Sequence, residues 1–147
     1  MNKDTEYEKQ LAAKEAIQLI GNNQIVGLGT GSTATYAIKG IGELVKKGLQ
    51  IEAIPTSDST TQLAASLGIP IRDINKTEFI DITIDGADEF TSDLILIKGG
   101  GGALLKEKIV ASMTKREIII ADSSKKVDSV GKFKLPIEVI PLLHIIY

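Results

Sequence analysis

The chain contains no cysteine and no tryptophan, and its only histidine is His144. Missing thiols exclude disulfides, thiolate nucleophiles and cysteine-ligated metals. A lone histidine removes histidine-based triads and most zinc chemistry, and at His144 packing is expected rather than catalysis. Acid–base work then falls to carboxylates and lysines. No apolar run approaches the roughly 20 residues that span a bilayer, and the opening MNKDTEYEKQ lacks the apolar centre of a secretory signal. No membrane association and a cytoplasmic location are therefore expected. A surplus of positive charge is lacking too. Seventeen Lys and Arg against 19 Asp and Glu leave a net charge of −2, so no global basic field exists to hold a nucleic acid. Any anion site must be built locally. What is present is 147 residues, 43% hydrophobic and 24% charged, enough for one globular domain with its own core.

Ala13, Ala16, Ile17 and Ile20 recur at helical spacing and predict a helix over 7–20, ended by Gly21. An apolar segment at 25–28 runs into a glycine-rich turn. A second helix is expected from about Ser32, whose hydroxyl can cap it, to Gly48. Strands are expected at 51–55, 69–71, 80–84 and 118–121, a further apolar run at 94–97, and helices at 59–67 and 103–113. Apolar strands alternating with helices predict an α/β, Rossmann-like, mostly parallel sheet with helices on both faces, spanning residues 1–141. Ligands bind such sheets beyond the carboxyl ends of the strands. The polar and glycine clusters at 30–33, 56–58, 85–89, 98–102 and 122–125 fall at those ends.

The first glycine turn, Gly27-Leu28-Gly29-Thr30-Gly31-Ser32-Thr33, is not a dinucleotide fingerprint, because serine stands where its third glycine belongs. Nor is it a phosphate-binding P-loop, since no Gly-Lys-Ser/Thr follows. Two readings stand: a phosphate or sugar-oxygen site made of amides and hydroxyls, or an ordinary capped turn. Asp85 and Asp88 stand three apart after a buried strand. They suit proton transfer with sugar hydroxyls, a solvated acidic turn or, least readily, a cation. Lys98 is followed by four glycines, which cost folding entropy that packing does not require. Such a run lets backbone approach a ligand, with the lysine positioned to stabilise an oxyanion. Glu107 lies about one turn into the next helix and suits a general base, the alternative being a surface glutamate beside a flexible loop. Lys125, in Asp122-Ser123-Ser124-Lys125, suits a phosphate or plain solvent.

Thr30-Gly31-Ser32-Thr33, Asp85-Gly86-Ala87-Asp88-Glu89, Lys98-Gly99-Gly100-Gly101, Glu107 and Asp122-Ser123-Ser124-Lys125, in that order and spacing, closely resemble the type A ribose-5-phosphate isomerase family. The resemblance runs from the first helix to Pro141. It implies an aldose–ketose isomerase of the pentose phosphate pathway that interconverts ribose 5-phosphate and ribulose 5-phosphate without metal or organic cofactor. It further implies Glu107 as the base between sugar carbons 1 and 2, and Lys98 with the following glycine amides at the developing oxyanion. By the same resemblance Asp85 assists ring opening and Asp88 contacts hydroxyls. Thr30 to Thr33, Gly86, Ala87, Gly99 to Gly101, Lys125 and Lys9 are implied as further substrate-binding positions. A homodimer is implied as well. Family members continue past the segment like Pro136 to Pro141 into a smaller α/β domain that helps form oligomer contacts and the far side of the site. Residues 142–147 depart from that pattern, so this second domain is expected to be absent and the chain to be an apolar-ended short form. The competing expectations are a sugar-phosphate-binding module without catalysis, an inactive truncated fragment and, less well matched, a nucleotide-binding domain. So apolar an end is expected to drive self-association through the sheet edge and the residues from Ile137 onward. Sedimentation at high concentration tests this, and a clean monomer contradicts it.

Overall fold

The computed structural model describes residues 3–141. Helix α1 (Lys3–Ile17) leads to β1 (Gln24–Leu28), α2 (Ser32–Lys46), β2 (Ile51–Pro55), α3 (Asp58–Ser66) and β3 (Ile80–Asp85). A two-strand ribbon follows, β4 (Glu89–Phe90) with β5 (Leu96–Ile97), then α4 (Leu104–Ser112) and β6 (Thr114–Ile119). Strands β2, β1, β3 and β6 lie in that order in one sheet, with every pair parallel. The α/β architecture expected from the sequence is therefore present.

Side-chain alternation along the strands explains the layers. Val26, Leu28, Ile51, Ala53 and Ile82 pack with Ile38 and Ile41 of α2 and Ala64 of α3. Ile84 and Ile120 pack on the same side with Ala13 and Ala16 of α1 and Ala37 of α2. Small residues at 13, 16 and 37 let those two helices lie close. On the opposite face Ile54 meets Val110 of α4, and Ile80 joins them from the first position of β3, out of step with the alternation that Ile82 and Ile84 follow. Within β3, Ile82 and Ile84 thus point to α1 and α2, while Thr83 and Asp85 point to the α4 side. That parity delivers the acidic residue to the face where Glu107 waits.

Some elements differ from expectation. The last strand is 114–119 rather than 118–121. It sits at the sheet edge, where Lys115 and Arg116 face solvent and charged residues guard against edge pairing, so its first half lacks an apolar signature. The segment at 69–71 forms only a bridge between Ile71 and Ala53, and 94–97 joins the separate antiparallel ribbon. Helix α1 lies a turn earlier than expected, its last residues tightening into i to i+3 bonds such as Ile20 N to Ile17 O. Residues 136–140 pair with no strand. His144 and the apolar end at 142–147 lie outside the described residues.

Strand β2 lies on one side of β1 and β3 on the other, so the connections diverge there and leave a crevice beyond the carboxyl ends of β1 and β3. Close approach at this point depends on Gly29, where a Cβ would fall 2.5 Å from the Asp85 Cα. Gly29 N instead donates to Ile84 O at 2.9 Å. Ile82, fully enclosed between β1 and α2, should lose about 2–5 kcal/mol of stability on truncation to alanine. Ile137→Ala, at a side chain 80% exposed, should change it by no more than about 0.5 kcal/mol. Denaturant unfolding of the two variants measures both.

Candidate active site

A cavity of about 280 Å³ opens at the crevice. Its walls come from residues 30–33 between β1 and α2, 86–88 after β3, Lys98 with Gly99, Gly100 and Gly101 after β5, Glu107 on α4, and Lys125. Four of the five sequence-predicted clusters thus contribute to the wall, although they span about a hundred residues of chain. Lys9 and Asp85 are exceptions. Asp85 sits directly behind the wall, and Lys9 does not line the cavity.

Asp85 is 1% exposed and Glu107 4%. Lys98 Nζ donates to Asp85 Oδ2 and to Gly86 O, both at 2.7 Å. Asp85 Oδ1 accepts the amides of Gly86 at 2.7 Å and Thr30 at 3.2 Å. The same ammonium stands 3.5 Å from Glu107 Oε2, within ion-pair range but outside hydrogen-bond geometry. Glu107 Oε2 is buried and has no hydrogen-bond partner among the described residues. One cation therefore satisfies one carboxylate and leaves the other under-satisfied. Burial, followed by the negative charge of Asp85 and then of Asp88, holds the Glu107 carboxyl above its ordinary 4.5, with Lys98 opposing. Such a group fits a proton acceptor. Glu117 is also raised, mainly by burial, but it lines a separate apolar groove with Phe90 and Leu96.

The α2 end of the cavity suits an anion. Gly31, at φ +115°, is the N-cap, and no side chain caps the helix. The cap expected from Ser32 is therefore not formed, because Ser32 is the first helical residue. Uncapped first-turn amides and the helix dipole favour a phosphate there. Lys125 reaches the same cavity from the short turn Ser123–Lys125. That turn is tied to α1 by Glu8, which accepts Ser123 N at 2.7 Å. Thr30 is held by hydroxyl contacts to Thr56 at 2.8 Å and Ser57 at 2.9 Å, so the 56–58 cluster supports the rim without lining it. Lys9 is buried, donates to Glu6 at 2.7 Å, and has its pKa raised first by that bond. Glu6 also accepts the Tyr36 hydroxyl at 2.6 Å.

In the glycine run, Gly100 N donates to Asp88 Oδ2 at 2.8 Å, so this amide is used internally. Gly99 adopts φ +92°, and a Cβ there would strike Leu104 at 2.7 Å, which explains the residue choice. Phe133 also lines the cavity and was not foreseen. It sits far along the chain in a stretch with no regular structure, so neither periodicity nor motif marks it. Glu138, equally unforeseen, accepts Leu105 N at 2.6 Å and supplies α4 with the cap that Ala103 lacks. No group of three or more His, Cys, Asp or Glu able to hold a metal occurs among the described residues.

A carboxyl raised in the native state binds its proton more tightly folded than unfolded. The contribution of Glu107 to stability therefore falls as pH rises from 4.5 through its native pKa, and stays lost above it. Carbon-13 NMR of labelled glutamate should show Glu107 titrating above 4.5. Asp85→Asn removes a charge that raises it and frees Lys98 toward it, so the midpoint should drop. A midpoint that stays put or rises would contradict this electrostatic account.

The family model described as ribose 5-phosphate isomerase A (phosphoriboisomerase A) matches residues 52–145. Ribose-5-phosphate isomerase A of Parvibaculum lavamentivorans is 52% identical over 141 residues, covering 96% of this chain and 60% of the relative. The solved ribose 5-phosphate isomerase A of Methanocaldococcus jannaschii superposes with a TM-score of 0.87 at 39% identity, over 96% of this chain and 64% of that one. A D-ribose-5-phosphate isomerase in complex with phospho-erythronic acid superposes at 0.82 with 43% identity, over 87% and 56% of the two chains. The chain spans about 60% of the length of the first of these relatives. With the matching model covering well over half of the chain, the chain belongs to the ribose-5-phosphate isomerase A family.

Proposed function

We propose that the chain interconverts ribose 5-phosphate and ribulose 5-phosphate, with Glu107 as the base. The observation that carries this reading is the unpartnered, buried Glu107 oxygen 3.5 Å from Lys98 on the cavity wall. Asp85 assists ring opening, and Asp88 contacts a sugar hydroxyl. In the open chain Glu107 takes the C2 proton, the C–H pair becomes the C1–C2 double bond, and the carbonyl pair moves onto O1. Lys98 and the amides of Gly99 and Gly101 stabilise that oxyanion. The proton returns to C1 while the O2 hydroxyl proton passes to O1, leaving the carbonyl at C2. No atom is gained or lost.

The phosphate lies at the α2 N-terminus, with Thr30 to Thr33 and Lys125 around it. Gly86 and Ala87 complete the wall, and Lys9 acts on the site indirectly, through the Glu6 and Tyr36 contacts beside the turn that carries Lys125. Neither a metal nor an organic cofactor enters this reading. The same reading places the enzyme in the cytoplasm, where charged sugar phosphates are retained, as a homodimer that covers apolar side chains such as Ile137 and Val139. No helix among the described residues is long and apolar enough to cross a membrane.

The purified chain should convert ribose 5-phosphate, and Glu107→Gln should lower turnover by about a hundred- to ten-thousand-fold with its circular dichroism retained. Normal turnover in that variant would sink the assignment of the base. A rise in melting temperature with ribose 5-phosphate but no conversion would leave the protein a sugar-phosphate binder.

A further inference from the structure

The geometry points to Phe133 as a further substrate-contacting residue and to Glu89 as the residue that positions it. The inference rests on the sugar-phosphate reading above and names the part of the site that receives the carbon chain.

Phe133 is the aromatic side chain on the cavity wall. The residue is 38% exposed, and its ring tip lies against Gly100. A Cβ added to Gly100 would fall 2.8 Å from the Phe133 Cζ and 2.5 Å from Asp88 Oδ1. The ring tip and the Asp88 carboxylate therefore converge on one glycine, and only a residue without a side chain lets them. An acceptor for hydroxyls beside an apolar ring face is what a polyol carbon requires. Its hydroxyl donates to the carboxylate while its C–H face packs on the ring.

Glu89 does not line the cavity, yet it is 3% exposed. A carboxylate buried that deeply is costly unless strongly hydrogen-bonded. Its oxygens accept the amides of Gly131, at 2.7 Å, and of Phe133 itself. Charge-assisted bonds of this kind are about twice as strong as neutral ones and fix the turn that presents the ring. Farther along, Glu138 accepts Leu105 N of α4, so the stretch carrying Phe133 is anchored at two points. Glu89 follows Asp88 directly, so one loop places both the acceptor and the support of the ring.

The test uses steady-state kinetics of the 147-residue chain with ribose 5-phosphate, comparing Phe133→Ala, Phe133→Leu, Glu89→Gln and the Phe133→Ala/Glu89→Gln double variant. Phe133→Ala should raise KM about tenfold, the equivalent of one 1.4 kcal/mol contact, with a smaller fall in kcat. Phe133→Leu should recover part of that loss. Glu89→Gln should also raise KM, and it should add little in the Phe133→Ala background, because it acts through the ring. An unchanged KM in Phe133→Ala overturns the substrate contact. Glu89→Gln effects that add in full to those of Phe133→Ala overturn the positioning role. If Glu89→Gln does not fold, Gly131→Ala, which strains the same turn at φ +122°, takes its place in the cycle. Should the unaltered chain bind ribose 5-phosphate without converting it, the isomerase reading fails while the same variants are read by calorimetry, where Phe133→Ala must weaken binding about tenfold. A chain that neither binds nor converts ribose 5-phosphate overturns both.

Discussion

One ammonium between two buried carboxylates is the constraint on which the site depends. Lys98 spends its short bonds on Asp85 and on the Gly86 carbonyl, and stands off Glu107 at 3.5 Å. Two negative charges so deeply enclosed cannot both be satisfied by one cation. Asp85, which also accepts two amides, is the satisfied partner. Glu107 is left desolvated and proton-seeking. The geometry that makes it costly to fold is what suits it to the proposed role of base.

Much of the surrounding architecture serves this arrangement. The parity of β3 sends Ile82 and Ile84 toward one layer and Asp85 toward the other. Gly29 lets β1 pass close beside Asp85, and the divergence of the chain between β1 and β3 opens the crevice where ligand fits. Other carboxylates are spent on structure. Glu8 ties the turn bearing Lys125 to α1, Glu138 caps α4, and Glu89 holds the turn at Phe133. Each accepts backbone amides where regular structure ends, which is where a charged acceptor is worth most. The cavity is thus framed by structural acids that are distinct from those proposed to act in it.

Legibility in the sequence followed the locality of the cause. The glycine and acidic clusters at 30–33, 85–89 and 98–102 are short-range signals at strand ends, and all of them arrive at the crevice. Strand β6 was read late because an edge strand answers to solvent on one side, and its charged first half has no apolar pattern. The expected Ser32 cap failed for a local reason too: Gly31 alone accepts φ +115°, which moves the helix start by one residue. Lys9 shows the opposite limit. The family resemblance implies it as a substrate-binding position, and Glu6, one helical turn away, takes its ammonium.

By itself the sequence determined the alternation of apolar strands and helices, and with it a parallel sheet whose polar clusters share one rim. It also determined which residue types were available for chemistry, since it holds no cysteine and one histidine. Only the tertiary structure decided which carboxylate is satisfied and which is left bare. It also decided that Phe133, Glu89 and Glu138 belong to the frame of the site. The reason is physical: burial, an unpaired oxygen and a ring against a glycine are sums over neighbours distant in the chain, and no local pattern encodes them.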